Sequence, residues 1–241
     1  MEFDEVKNKI RREEMELTLS RLAEPFDESD IYWKPQTISK QTGKGIAAAF
    51  ADPRVYSDRL SEILGADGWN CSYQLYTIPP LMPNPVAVVK PDEYKVKLSY
   101  RGKILVVATV SIDTLNQSHS GTGESWADDE NAVTIAEAQG FKRASMRFGV
   151  GRYLYDLPND MWCDYDGKTK KFTKTPPLPD WAKRKKKCED CNNVISSFMH
   201  GDKELTVSWL ITNGQTKYGK QLCAKCQQVR SKSNTGAITN G

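Results

Sequence analysis

Between about residues 129 and 148 the chain carries Val133, Ala136, Gly140, Ala144 and Phe148 at helical spacing, which puts them on one stripe of a helix. The stripe is small in its middle. With almost no side chain at Gly140 and Ala144, this helix can lie closer to a sheet than an ordinary helix can. Asp128, Asp129 and Glu130 stand at its start, where carboxylates favour the positive end of the helix dipole.

The strands such a helix needs lie upstream. WNCSYQLYTI (69–78), DEYKVKLSY (92–100) and KILVVATVSIDT (103–114) are strand-like runs, the last two joined by Arg101-Gly102 as a tight turn, with a proline-rich loop at 79–91. The first 23 residues read as a helix, with Val6, Ile10, Leu17 and Leu22 at turn spacing, and IYWKP (31–35) as extended chain. A second helix is expected over about 46–64, carrying Ile46, Phe50, Leu60, Ile63 and Leu64, broken or restarted at Pro53 and stopped by Gly65 and Gly68. The expected class is α+β, an antiparallel β-sheet with a long helix packed across it. The expected domains are 1–165, a basic linker 166–187, a small metal module 188–228 and a disordered tail 229–241.

Cys188 and Cys191 form one C-x-x-C pair, and Cys223 and Cys226 form another. Two thiolates two residues apart reach one ion from a tight knuckle, and two knuckles complete the tetrahedral four-cysteine shell that Zn²⁺ favours. ELTVSWLI (204–211) reads as a strand between them, so the module is expected to be a zinc ribbon that depends on a structural Zn²⁺. Disulfides are a poor alternative, because the highly charged N-terminus MEFDEVKNKIRREEM is no signal peptide and the expected location is cytoplasmic. No apolar run approaches the roughly 20 residues of a membrane span. The lone Cys71 and Cys163 read as packing or surface residues rather than nucleophiles.

The charge is uneven. Residues 166–241 hold 15 Lys and Arg against 6 Asp and Glu, although the whole chain is only +3. A basic segment on a mildly acidic body suits contact with a polyanion, or a solubilising linker. Within EAQGFKRASMRFGVGRYLYDLP (137–158), Arg143 and Arg147 are one helical turn apart on one side and Lys142 points about 100° away. Arg152, Tyr153 and Tyr155 follow. Cations for phosphates beside rings for bases are what a single strand needs. The plainer reading makes the arginines a solvated helix edge, or partners of Glu137 and Asp156.

This stretch, above all the KRA and FGVGRYLY segments, resembles the signature helix of the Rad52-type single-strand annealing proteins, in their bacterial and phage branch. LAEPFDESDIYWKP (22–35), AAAFADPRVYSDRLSEILGADGWNCSY (47–73) and GTGES (121–125) occur in family order, so the resemblance covers about residues 17–160. It implies a sheet crossed by a long helix, assembled side by side into a homo-oligomeric ring, with a strand in a basic groove. It also implies ATP-independent annealing of complementary single strands in recombination and repair, with no enzyme chemistry. By position, Lys142 and Arg143 match the family's phosphate-contacting pair. Arg54 or Arg59 matches an arginine of the preceding helix, and Arg147, Arg152 and Lys34 complete the candidate DNA-binding set. A tyrosine that some members carry before Gly68-Trp69 is replaced here by Ala66 or Asp67.

Other readings are weaker. Glu93-x-Lys95 on an expected strand resembles a metal-dependent nuclease element, but only Asp67 lies nearby as an upstream acid, and a solvent-facing hairpin explains the pair. Gln41-Thr42-Gly43-Lys44-Gly45 lacks the first glycine and the following Ser/Thr of a phosphate-binding loop, so no nucleotide cofactor is expected, only a turn leading into the second helix. The zinc module and the KRKKK run (183–187) could instead make the chain an adaptor, docking a single-strand-binding protein or another repair factor.

Overall fold

The computed structural model describes residues 2–80 and 102–236. The expected strand 92–100 with Glu93 and Lys95, most of the proline-rich loop and Arg101 lie outside the described residues. The chain divides into two compact units, Met1–Lys183 and Arg184–Gly241.

In the first unit a helix α1 (Glu2–Leu22) precedes a hairpin of β1 (Ile31–Ser39) and β2 (Lys44–Ala51), then α2 (Pro53–Leu64). Next come β3 (Trp69–Ile78), β4 (Lys103–Ile112), β5 (Gln117–Trp126) and the long helix α3 (Ala132–Met146), followed by β6 (Trp162–Asp166) and β7 (Lys171–Phe172). Two antiparallel sheets result, ordered β1-β2-β6-β7 and β3-β4-β5.

The second expected helix is therefore half strand. Residues 46–51 pair with β1, Ile46 opposite Thr37 and Ala51 opposite Ile31, and the helix begins only at Pro53. Asp52 caps it, its carboxylate accepting the Arg54 N–H at 3.0 Å, and proline suits the first helical turn because its missing N–H would have no partner there. Gln41 to Gly43 belong to the β1–β2 turn and Lys44-Gly45 open β2, rather than leading into a helix, with the Gly43 N–H donating to the Ser39 carbonyl at 3.0 Å.

α3 lies where the small stripe requires. Ala136, Gly140 and Ala144 are buried against β4 and β5, while Val133, expected on the same stripe, stays exposed. A Cβ on Gly121 of β5 would come within 2.4 Å of the Ala144 nitrogen, and one on Gly140 within 3.3 Å of the Ala108 Cβ. Helix and strand thus meet almost backbone to backbone. On the sheet's other face, cross-strand hydroxyl pairs join Thr109 to Ser120 and Ser111 to Ser118 at 2.8 and 2.7 Å. Asn131, not the preceding acids, stands at the N-cap of α3, and Asp129 instead accepts the Ser125 hydroxyl at 3.1 Å.

The core gathers Leu22, Phe26, Ile31, Ala51, Tyr56, Leu60, Ile112, Phe141, Phe148 and Leu154 from both sheets and three helices. Of the apolar residues expected to bury α1, only Leu22 is covered; Val6, Ile10 and Leu17 are exposed. Residues 166–183 are not a free linker. They form the β6–β7 turn and then place Leu178 and Ala182 in this same core.

The second unit holds a short hairpin, β8 (Phe198–His200) with β9 (Lys203–Leu205), and two helices, α4 (Val207–Tyr218) and α5 (Ala224–Gly236). The expected strand 204–211 is thus mostly helix. Thr206 caps α4 by accepting the Trp209 N–H at 3.3 Å, and Gly219 ends it in the left-handed region. The tail expected to be disordered from 229 continues α5 as far as Gly236. Among the described residues no helix is long and apolar enough to cross a membrane.

Candidate nucleic-acid interface and metal centre

Two grooves flank α3 and meet at Tyr155, which lines both. On one side, Arg143, Arg147 and Arg152 gather with Met146 over Ser120, Gly121 and Thr122 of β5. Arg143 donates a 2.7 Å hydrogen bond to the Thr122 carbonyl, which fixes its guanidinium over the strand edge. The glycine-lined contact of β5 with α3 is what brings that carbonyl within reach. Among the described residues no ion pair includes Arg143, Arg147 or Arg152, so neither Glu137 nor Asp156 neutralises them.

Lys142 points to the other side, as the helical angle requires. It lines a groove with Lys34 and Gln36 of β1, Ala47 to Ala51 of β2, Leu157 and Asn159. Its ammonium approaches the Ala51 carbonyl at 3.4 Å, and Lys34 lies 5.4 Å from the centre of the Phe50 ring. Burial, followed by repulsion from Lys34, holds the Lys142 pKa below its ordinary value, with Asp52 opposing. The described lining of both grooves contains no carboxylate. Phe50 escapes sequence reasoning as a groove residue because the run AAAFA reads as helix; as a strand it turns the ring towards Lys34.

The two arginine candidates of α2 separate cleanly. Arg54 is exposed, 3.9 Å from Asp52. Arg59 is 3% exposed and is no DNA contact. Its guanidinium donates to the carbonyls of Arg21 at 3.3 Å, of Pro25 at 3.0 Å and of Glu24, and it lies over the Phe26 ring. It ties the last turn of α1 to the chain that leaves it, supplementing the 3.3 Å bond from the Glu24 N–H to the Arg21 carbonyl. Arg59 therefore leaves the candidate set. Tyr153 is likewise structural, its hydroxyl accepting the Phe26 N–H at 3.0 Å.

In the second unit Cys188, Cys191, Cys223 and Cys226 bring their sulfurs within 4.8 Å of one another, Cys191 and Cys223 at 3.8 Å. A tetrahedron of thiolates about 2.3 Å from a central Zn²⁺ has edges of about 3.8 Å, so the donor set could hold such an ion. The knuckles are cross-tied, Gln221 donating to the Glu189 carboxylate at 2.7 Å and Glu189 N–H to the Gln221 carbonyl at 2.9 Å. Asp190 accepts from Arg230 through both oxygens, at 2.6 and 2.9 Å, and from Lys220 at 3.1 Å. Burial raises the Cys188 thiol, but backbone N–H groups of Cys223, Cys191 and Asp190 outweigh it and bring the pKa to about 6. Cys226 is raised, by burial first and then by the three neighbouring sulfurs. A cation among the four would relieve that repulsion. His200, Cys71 and Cys163 are not part of the cluster.

The family model described as Rad52/22 family double-strand break repair protein matches residues 14–171. Two curated relatives are each named single-stranded DNA-binding protein DdrA. The one from Deinococcus deserti is 28% identical over 163 residues, 68% of this chain and 68% of that protein. The one from Deinococcus radiodurans is also 28% identical over 163 residues, 68% of this chain and 66% of that protein. The chain thus spans about two thirds of the length of these relatives, and the cysteine cluster lies beyond the family match.

Proposed function

The chain belongs to the Rad52/22 family of double-strand break repair proteins, and on that footing we propose that it binds single-stranded DNA and anneals complementary strands without nucleotide hydrolysis. The observation that carries this reading is the succession Arg143, Arg147, Arg152, Tyr155, Lys142, Lys34 along two adjoining grooves free of described carboxylates.

Guanidinium and ammonium groups neutralise phosphates and release counterions. Tyr155 is 68% exposed between the two sets of cations, and a base stacked on such a ring gains about 1–3 kcal/mol whatever its identity. A phosphate beside Lys142 and Lys34 also relieves the repulsion between them. Backbone held and base edges free is the state from which a second strand can pair. No bond is made or broken in that process, so the chain acts as a binding protein rather than an enzyme. Side-by-side copies in a homo-oligomeric ring would extend the track, in a cytoplasmic, nucleoid-associated setting.

In the second unit Zn²⁺ would be held by Cys188, Cys191, Cys223 and Cys226 as a structural cross-link. The four-sulfur spacing supports this, and Asp190 and Gln227 brace the knuckles and helices around it.

The test is equilibrium binding of a labelled oligothymidylate across a salt series. Five phosphate contacts, from Lys34, Lys142, Arg143, Arg147 and Arg152, give a slope of log K against log salt of about −3.5 per protomer. A slope near zero would remove the grooves as the binding site.

A further inference from the structure

The basic track does not end at Lys34. Phe50, which lines the Lys142 groove, also lines a third cavity of about 830 Å³ on its far side. Its walls include Tyr32, Trp33, Phe172, Lys171 and Lys174. Tyr32 is 52% exposed, and its ring packs against Phe50 at 5.7 Å between centroids, tilted by 37°. Lys171 and Lys174 are exposed on the segment running from β7 towards the buried Leu178. Glu28 is the one carboxylate in the described lining. The family match stops at residue 171, so Lys174 and the chain to Leu178 form a wall that lies outside the matched domain.

We propose that this third cavity is a further single-strand DNA subsite, with the strand leaving the Lys142 groove over Phe50 to stack a base on Tyr32 and place phosphates against Lys171 and Lys174. The inference rests on the single-strand binding proposed above and adds residues to it. The chemistry is that of the rest of the track, an exposed ring between cations. The occupant follows from continuity, since Phe50 is common to both grooves, and from charge, two lysines against the single Glu28. The packing of Leu178 and Ala182 into the core holds this wall beside β1. A strand occupying this subsite is longer than one confined to the grooves beside α3, so the subsite should matter only for longer ligands.

The experiment is equilibrium binding of a length series of oligothymidylates to the full chain. It compares wild type, Tyr32→Ala, Lys171→Glu with Lys174→Glu, and Lys142→Ala with Arg143→Ala. The inference expects Tyr32→Ala to weaken the longer oligonucleotides roughly tenfold, through the lost stacking contact, and to leave the shortest bound one unaffected. The lysine pair changes only exposed side chains, so it keeps the test valid should Tyr32→Ala unfold. It should flatten the salt slope for long ligands by about 1.4, the share of two phosphates. Wild-type binding at every length by the lysine pair, or an equal loss at every length, would overturn the subsite. The reading beneath it fails separately, if Lys142→Ala with Arg143→Ala binds all lengths like wild type.

Discussion

Gly123 of β5 lies so close to Ala136 of α3 that a Cβ on the glycine would fall 1.8 Å from the Ala136 carbonyl oxygen. No side chain can occupy that space unless helix and strand separate. Arg143, two turns further along α3, bonds the carbonyl of Thr122, the residue before Gly123, so the same contact that closes the core also aims a cation of the proposed DNA interface.

Gly123→Ala is therefore expected to cost about 1–3 kcal/mol or more of stability through overpacking, and to weaken DNA binding in the protein that remains folded. Gly167→Ala, where an added Cβ meets nothing within 4 Å, should stay within about 0.5 kcal/mol of wild type. Urea unfolding of both variants checks this. Equal midpoints would mean that α3 does not depend on the glycine contact.

The strand β5 shows why part of this fold escapes a reading of its sequence. Its residues facing α3 are Gly121, Gly123 and Ser125, so the apolar alternation that marks a half-buried strand is missing. α3 supplies the complementary small stripe, and that half was readable. Ala47 to Ala51 misleads for a related reason, since alanine favours helix locally while pairing with β1 makes it strand. In 204–211 a Thr206 cap starts a helix inside a run that reads as β-branched strand. The cysteine cluster was legible because spacing alone carries it, whereas helical spacing gave only the sides of α3 on which Lys142 and Arg143 stand, and the resemblance supplied their proposed role. The fate of Arg59 was not, because only tertiary packing distinguishes a capping guanidinium from an exposed one.

Arg59→Ala should lower stability measurably, by about 1–3 kcal/mol for each buried acceptor left without a donor, since the carbonyls of Glu24 and Pro25 lose the guanidinium and that of Arg21 keeps only the Glu24 N–H. Arg54→Ala, at an exposed site, should shift the thermal midpoint by little. The salt slope of DNA binding should be the same for folded Arg59→Ala as for wild type. A reduced slope with an unchanged midpoint would return Arg59 to the binding surface.

Lys142 is expected to act in opposite directions on folding and on the proposed binding. Burial and then Lys34 hold its folded pKa below the ordinary 10.5, so the unfolded chain binds the proton more tightly. The charge therefore costs stability in full below the folded pKa, and the cost disappears as pH rises to about 10.5. Lys142→Met should raise stability at neutral pH, with no gain near pH 10.5, while weakening single-strand binding. Urea melts at the two pH values, paired with one binding curve, test both signs. A loss of stability at neutral pH would contradict this account of Lys142.

The cysteine cluster should bind one Zn²⁺ per chain, measured by elemental analysis of purified protein. Chelation should reduce helical circular dichroism from α4 and α5, and Cys191→Ser should show both the lower metal content and the lower helicity. Full helicity in metal-free protein would show that the packing of Leu210, Leu222 and Gln227 suffices without an ion.

The decisive measurement is the rate at which two complementary labelled oligonucleotides form duplex with purified protein, without nucleotide, across a salt series. Wild type should accelerate duplex formation over a protein-free control, the acceleration should fade as salt rises, and Lys142→Ala with Arg143→Ala should abolish it in a chain that still folds. No acceleration by folded, zinc-loaded wild type, or normal annealing by the double variant, would contradict the assignment of the α3 grooves to strand annealing.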